Sequence, residues 1–162
     1  MSAEQPRCRR ERIAADLNDS AQRRSVYATV GPAPALMVTE GLLLYLPAAT
    51  VEALAAEAWR QSGVAHWMSD ISTTAFANAV GANMMRSVRH VQASDSLAGE
   101  QILEVLRHNG WVTAARRSYI TDVAFAMDRI KRLFGERPPT GDSSPPPPQP
   151  DDPTGVHLLA RS

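Results

Sequence analysis

Short apolar runs alternate with amphipathic stretches along most of the chain, and this alternation constrains the fold more than any other feature. Ile13-Ala14-Ala15-Asp16-Leu17, Ala35 to Glu40, and Val64 to Met68 are each too short for a buried helix and read as buried strands. Between the last two lies the clearest helix. It starts near Pro47, a favoured first-turn residue, and repeats Val51, Leu54, Ala55, Ala58 and Trp59 along one stripe. Gly63 is expected to end it as a left-handed cap. Strands alternating with helices predict an α/β fold, a sheet with helices packed on its faces.

The remaining segments extend the same pattern. Ala21 to Ala28 reads as a short helix, and Leu42 to Leu46 as an apolar corner after the Gly41 turn. Thr73 to about Val91 reads as a helix broken near Gly81. Ser96 is expected to cap another, with Ile102, Leu103 and Leu106 inward and Asn109-Gly110 at its end. Trp111 to Tyr119 is a fourth strand candidate. Asp122 opens a helix with Val123, Ala126, Met127, Ile130, Leu133 and Phe134 on one stripe. Residues 138–154 are a proline-rich loop, and Gly155 to Arg161 form the last strand. Residues 1–12 are polar and expected to be disordered, leaving 13–162 as a single domain.

Composition removes several classes of function. The 17 basic and 17 acidic side chains balance, so no net charge recruits nucleic acid. No apolar stretch approaches the roughly 20 residues of a membrane span, and the N-terminus lacks a signal-peptide core. A cytoplasmic protein is expected. Cys8 is the single cysteine, which excludes an internal disulfide and a cysteine-based metal site. His66, His90, His108 and His157 show no ligand spacing with acids, so no metal is expected. His66 beside Trp67 reads as a packed strand residue. No Gly-x-Ser-x-Gly elbow or Walker-type phosphate loop occurs.

In open α/β sheets, ligands bind beyond the carboxyl ends of parallel strands. Three such ends carry acids here: Asp16, Glu40 and Asp70. Asp70 has two readings, as the lining of a substrate pocket or as the cap of the following helix, with Ser69 and Ser72 as rival caps.

Two blocks sharpen this picture. Asp16-Leu17-Asn18-Asp19, followed by Thr39-Glu40-Gly41-Leu42-Leu43-Leu44-Tyr45-Leu46-Pro47, resembles the leucine carboxyl methyltransferase-like family of S-adenosylmethionine-dependent methyltransferases. Bacterial members carry a strand ending in Asp-Leu-x-Asp and, later, a Glu-Gly-Leu-Leu-x-Tyr-Leu block. The resemblance runs from residue 13 to the final strand.

The resemblance implies a partial Rossmann-like class I methyltransferase sheet with flanking helices. It implies S-adenosyl-L-methionine as cofactor and a small-molecule or carboxylate-bearing acceptor, methylated on a carboxyl or hydroxyl group. Asp16 would accept from the adenine amino group while the Leu17 N–H donates to a ring nitrogen. Glu40 would line the pocket near the cofactor's cationic part, Gly41 would let the backbone pass close to it, and Tyr45 and Asp70 would face the acceptor.

The family's sheet has strand order 3-2-1-4-5-7-6, and its first strand opens into a glycine-rich turn. No Gly-x-Gly occurs in this chain, and too few residues precede Ile13 for two strands and their helices. The first two strands are therefore expected to be absent, and the Leu36 strand to show an apolar edge open to self-association. An active methyltransferase and a non-catalytic remnant or interaction subunit both remain as functional readings.

Overall fold

The computed structural model describes residues 8–61, 63–76, 93–119 and 152–162. It is an α/β fold built on a four-stranded mixed sheet in the order β1-β2-β4-β3. The strands are β1 (Ala35–Thr39), β2 (Val64–Ile71), β3 (Trp111–Ser118) and β4 (Gly155–Arg161). The helices are α1 (Ser20–Tyr27), α2 (Ala48–Arg60) and α3 (Gly99–His108), and a 3-10 turn covers Leu43–Tyr45. β1 and β2 run parallel, and β4 lies antiparallel to both β2 and β3. It follows that β1, β2 and β3 all point the same way, so their carboxyl ends share one edge of the sheet.

The core forms on one face because strand side chains alternate. On that face Val64, Trp67 and Ile71 of β2, Leu159 of β4 and Trp111 of β3 meet Val51, Leu54, Ala55 and Ala58 of α2, and Ile102 and Leu106 of α3. The stripe read on α2 is therefore its buried face, with Trp59 at its margin. Fully burying one such aliphatic side chain contributes roughly 1.5–3 kcal/mol. Trp59 and Trp67 each meet Trp111 edge to face, with ring centroids 5.6 and 5.7 Å apart. Every core indole has a hydrogen-bond partner. The Trp111 Nε1 donates to the Ala55 carbonyl at 3.1 Å and the Trp67 Nε1 to the Thr39 hydroxyl at 2.9 Å.

Arg161 closes the end of α2. Its guanidinium donates to the carbonyls of Gln61 and Val64 at 2.6 and 3.0 Å while lying over the Trp59 ring. Helix ends leave carbonyls without intrahelical partners, and a planar fork of donors suits them.

The opposite face is different. Leu36 and Val38 of β1 are 51% and 56% exposed, and Val112 of β3 is 39% exposed. The register places His66 beside Leu36 and Met68 beside Val38 on this outer face. Among the described residues β1 is also the edge of the sheet, which matches the apolar edge expected at Leu36.

Several expectations need correction. Ile13 to Leu17 form no strand, and Ile13 is 46% exposed. A strand exists only through a ladder, and among the described residues no neighbouring strand takes up this segment. His66 is exposed rather than packed, because strand alternation turns it away from Trp67. β2 extends to Ile71, so Asp70 lies inside the strand. Gly63 is no left-handed cap, since α2 ends at Arg60 with Gln61 as its cap and Gly63 has no positive φ. Its role is close approach: a Cβ there would sit 2.6 Å from the Gly31 carbonyl oxygen. Ala98, not Ser96, precedes α3, and the Gln101 side chain accepts from the Ala98 N–H at 2.9 Å. The expected helix beyond Phe76, the Asp122 helix and most of the proline-rich loop lie outside the described residues. Among the described residues, no helix is long and apolar enough to cross a membrane.

Candidate functional site

The carboxyl edge of β1, β2 and β3 gathers the site. Glu40 follows β1, Asp70 is the penultimate residue of β2, and Tyr119 follows β3. The ladder aligns them, because Ser118 and Ile71 both pair with Gly155 of β4. Gly41 turns the chain away from β1 with φ +55°, a left-handed conformation in which any other residue is strained. The Asp70 Oδ1 accepts from the Gly41 N–H at 2.8 Å. Among the described residues a Cβ built on Gly41 would meet nothing within 4 Å, so the turn borders open space there.

Glu40 is exposed and forms no ion pair among the described residues. Burial pushes the Tyr119 phenol above its ordinary range, and the negative charges of Asp70 and Glu40 add to the shift. The Tyr119 ring also packs against Phe76, with centroids 6.3 Å apart. This edge therefore presents two carboxylates beside an aromatic pair, an environment that favours a cation.

Asp70 does not cap the following helix. That position belongs to Thr73, whose hydroxyl accepts from the Phe76 N–H at 3.1 Å. Tyr45 lies half-buried in the 3-10 turn, and its carbonyl accepts from the Ala93 N–H at 3.1 Å.

The Asp16–Asp19 turn is built separately, and most of its polar atoms are used. The Asp16 N–H donates to the Gln22 Oε1 at 2.8 Å, the Asp16 carbonyl accepts from the Asp19 N–H at 3.1 Å, and the Asp16 Oδ1 accepts from the Asn18 N–H at 2.9 Å. The Leu17 carbonyl accepts from Arg23 Nη1 at 2.7 Å. Among the described residues this leaves four groups without partners: the Asn18 carbonyl and Nδ2 and, adjacent to each other, the Asp16 Oδ2 and the Leu17 N–H. Of the adjacent two, one is an acceptor and the other a donor.

Two anchors hold the turn against the fold. Thr50 in the first turn of α2 donates to the Asn18 Oδ1 at 2.8 Å. Arg23 makes a bidentate pair with Glu57 at 2.9 and 3.0 Å, nearly buried on the arginine side. The turn is thereby held to α2, the helix that follows Gly41 and the 3-10 turn in the chain.

Sequence reasoning named Asp16, Leu17, Glu40, Gly41, Tyr45 and Asp70 but missed Tyr119, Gln22, Arg23 and Glu57. Tyr119 becomes visible only when β3 is known to run parallel to β1. The only local sign of the Arg23 contact was an arginine within a short helix, which usually points to solvent. No protein-family model matches the chain, and no curated protein matches it.

Proposed function

We propose that this chain is the carboxyl-terminal portion of a class I, S-adenosylmethionine-dependent O-methyltransferase of the leucine carboxyl methyltransferase-like kind. The observation that carries the reading is the free acceptor–donor pair at Asp16 Oδ2 and Leu17 N–H. Adenine presents the complement, an amino donor beside a ring-nitrogen acceptor. The strand order β1-β2-β4-β3 adds support, since it reproduces the 4-5-7-6 end of the order expected for that sheet. The residues present fit the cofactor on two further counts: open space above Gly41 and an exposed Glu40 carboxylate beside it.

In this reading Asp16 and Leu17 hold the adenine, and Glu40 and the Gly41 backbone line the pocket near the cofactor's charged centre. S-adenosylmethionine, when bound, supplies a methyl group on a sulfonium that is already a good leaving group. A carboxylate acceptor needs no general base, so the protein's task is alignment. Tyr45 and Asp70 are the acceptor-side candidates, and Asp70 acts by fixing the Gly41 turn.

The test is an amide NMR titration of the chain with S-adenosylhomocysteine. Weak binding is expected, with shifts confined to residues 16–19 and 40–41 and lost in Asp16→Ala. No shift at millimolar ligand overturns the reading. A second reading, a non-catalytic interaction subunit, is favoured by the exposed Leu36 and Val38 on the β1 edge.

A further inference from the structure

The free pair at Asp16 and Leu17 is useful only if its direction is fixed, and the turn fixes it through three successive peptide units. The unit before Asp16 is held by its N–H, which donates to the Gln22 side chain at 2.8 Å. The unit between Asp16 and Leu17 is held by its carbonyl, which accepts from Asp19. The unit after Leu17 is held by its carbonyl, which accepts from Arg23 at 2.7 Å. Each of these peptides is planar and trans, so pinning the Asp16 carbonyl points the Leu17 N–H in the opposite direction.

Gln22 does more than fill a donor. Its amide nitrogen donates to the Asp19 Oδ2 at 3.1 Å, while Asp19 Oδ1 accepts from the Ala21 N–H as the cap of α1. One side chain therefore ties the start of the turn to the start of the helix. Arg23, next in sequence, is turned to the buried side and locked by Glu57.

We infer that Gln22 and Arg23 are positioning residues that orient the Asp16–Leu17 edge for a 6-aminopurine against a 6-oxopurine. The inference rests on the proposed reading of that edge as the adenine contact. Neither residue touches the ligand. Gln22 holds the incoming peptide and Arg23 the outgoing one, so the acceptor and donor keep the spacing that an amino group beside a ring nitrogen requires. A 6-oxopurine offers the reverse polarity, and a rigid edge rejects it. A turn free to rotate about Asp16 and Leu17 loses the discrimination before it loses the fold.

The experiment compares wild type and Gln22→Met in the full chain, titrated with adenosine and with inosine by amide NMR. Thermal unfolding is followed in parallel. Gln22 is exposed, and methionine suits a helix, so the variant keeps its fold. The expected result is an adenosine preference in wild type that falls about fivefold in Gln22→Met, the worth of one neutral hydrogen bond. The unfolding temperature should stay nearly unchanged, because both hydrogen bonds of Gln22 are solvent-exposed.

An unchanged preference in Gln22→Met overturns the positioning role while leaving the adenine reading intact. So does a loss that merely follows a fall in unfolding temperature. Absence of adenosine binding in wild type overturns the adenine reading itself, and the inference with it.

Discussion

The Asp70 carboxylate accepts the Gly41 amide at 2.8 Å, tying the end of one parallel strand to the turn that leaves its neighbour. The bond explains how a five-residue edge strand can present a left-handed turn in a defined place. Two effects cooperate there. Glycine makes the φ of +55° affordable, and Asp70 selects it from the alternatives.

Substitution separates these effects. Gly41→Ala should destabilise by about 1 kcal/mol through backbone strain alone, because its Cβ finds open space. Asp70→Ala should cost about 1.5–3 kcal/mol, as expected for a partly buried hydrogen bond to a charged acceptor. Asp70→Asn keeps an acceptor and should cost less. Urea unfolding followed by tryptophan fluorescence measures all three.

The Arg23–Glu57 pair behaves differently, because one partner is nearly buried and the other is 21% exposed. Removing either side alone leaves a charge without its partner. Arg23→Met should destabilise by roughly 2–4 kcal/mol, and the double change with Glu57→Met should recover a large share. A double-mutant cycle in urea reads this coupling. Additive losses would show that the pair is not a coupled unit.

His157 makes stability depend on pH. Its Nε2 lies 2.6 Å from the Pro153 carbonyl and its Nδ1 3.1 Å from the Thr113 hydroxyl, which suits a neutral ring donating through Nε2. Burial lowers its pKa below the ordinary 6.5 and nearby Arg116 adds to the effect, while the Pro153 hydrogen bond partly opposes it. The folded state then binds fewer protons than the unfolded one just below pH 6.5. The contribution is fully present above that pH and is lost as pH falls through the folded-state value. Urea midpoints should therefore drop from pH 7.5 toward pH 5, and His157→Gln should flatten that part of the profile.

The open edge of β1 carries the last prediction. Leu36 and Val38 are apolar, and β1 contains no charged residue to block pairing with another chain. Light scattering should show association that rises with concentration. Val38→Lys should suppress it with stability changed by no more than about 0.5 kcal/mol, as for other exposed positions. A monomer at all concentrations would refute the expectation.

Much of the fold was legible before any coordinates. The α2 stripe, the strands at Ala35, Val64, Trp111 and Gly155, and the apolar edge at Leu36 all follow from periodicity and turn residues or from the sheet order that the resemblance implied. The misreadings share one physical cause. Ile13 to Leu17 has a strand's composition but no ladder partner, and Asp70 sits at the end of a strand that runs longer than its apolar run. Composition reports what a segment can bury, not what it pairs with.

The sequence alone determined which segments could be strands and helices, because side-chain period is a local property. It also singled out Asp16, Leu17, Glu40 and Gly41. Only the tertiary structure decided that β3 runs parallel to β1, bringing Tyr119 beside Asp70, and that Arg23 turns inward to Glu57. Those arrangements depend on contacts between residues tens of positions apart. Their energies exist only once the chain has closed around its core.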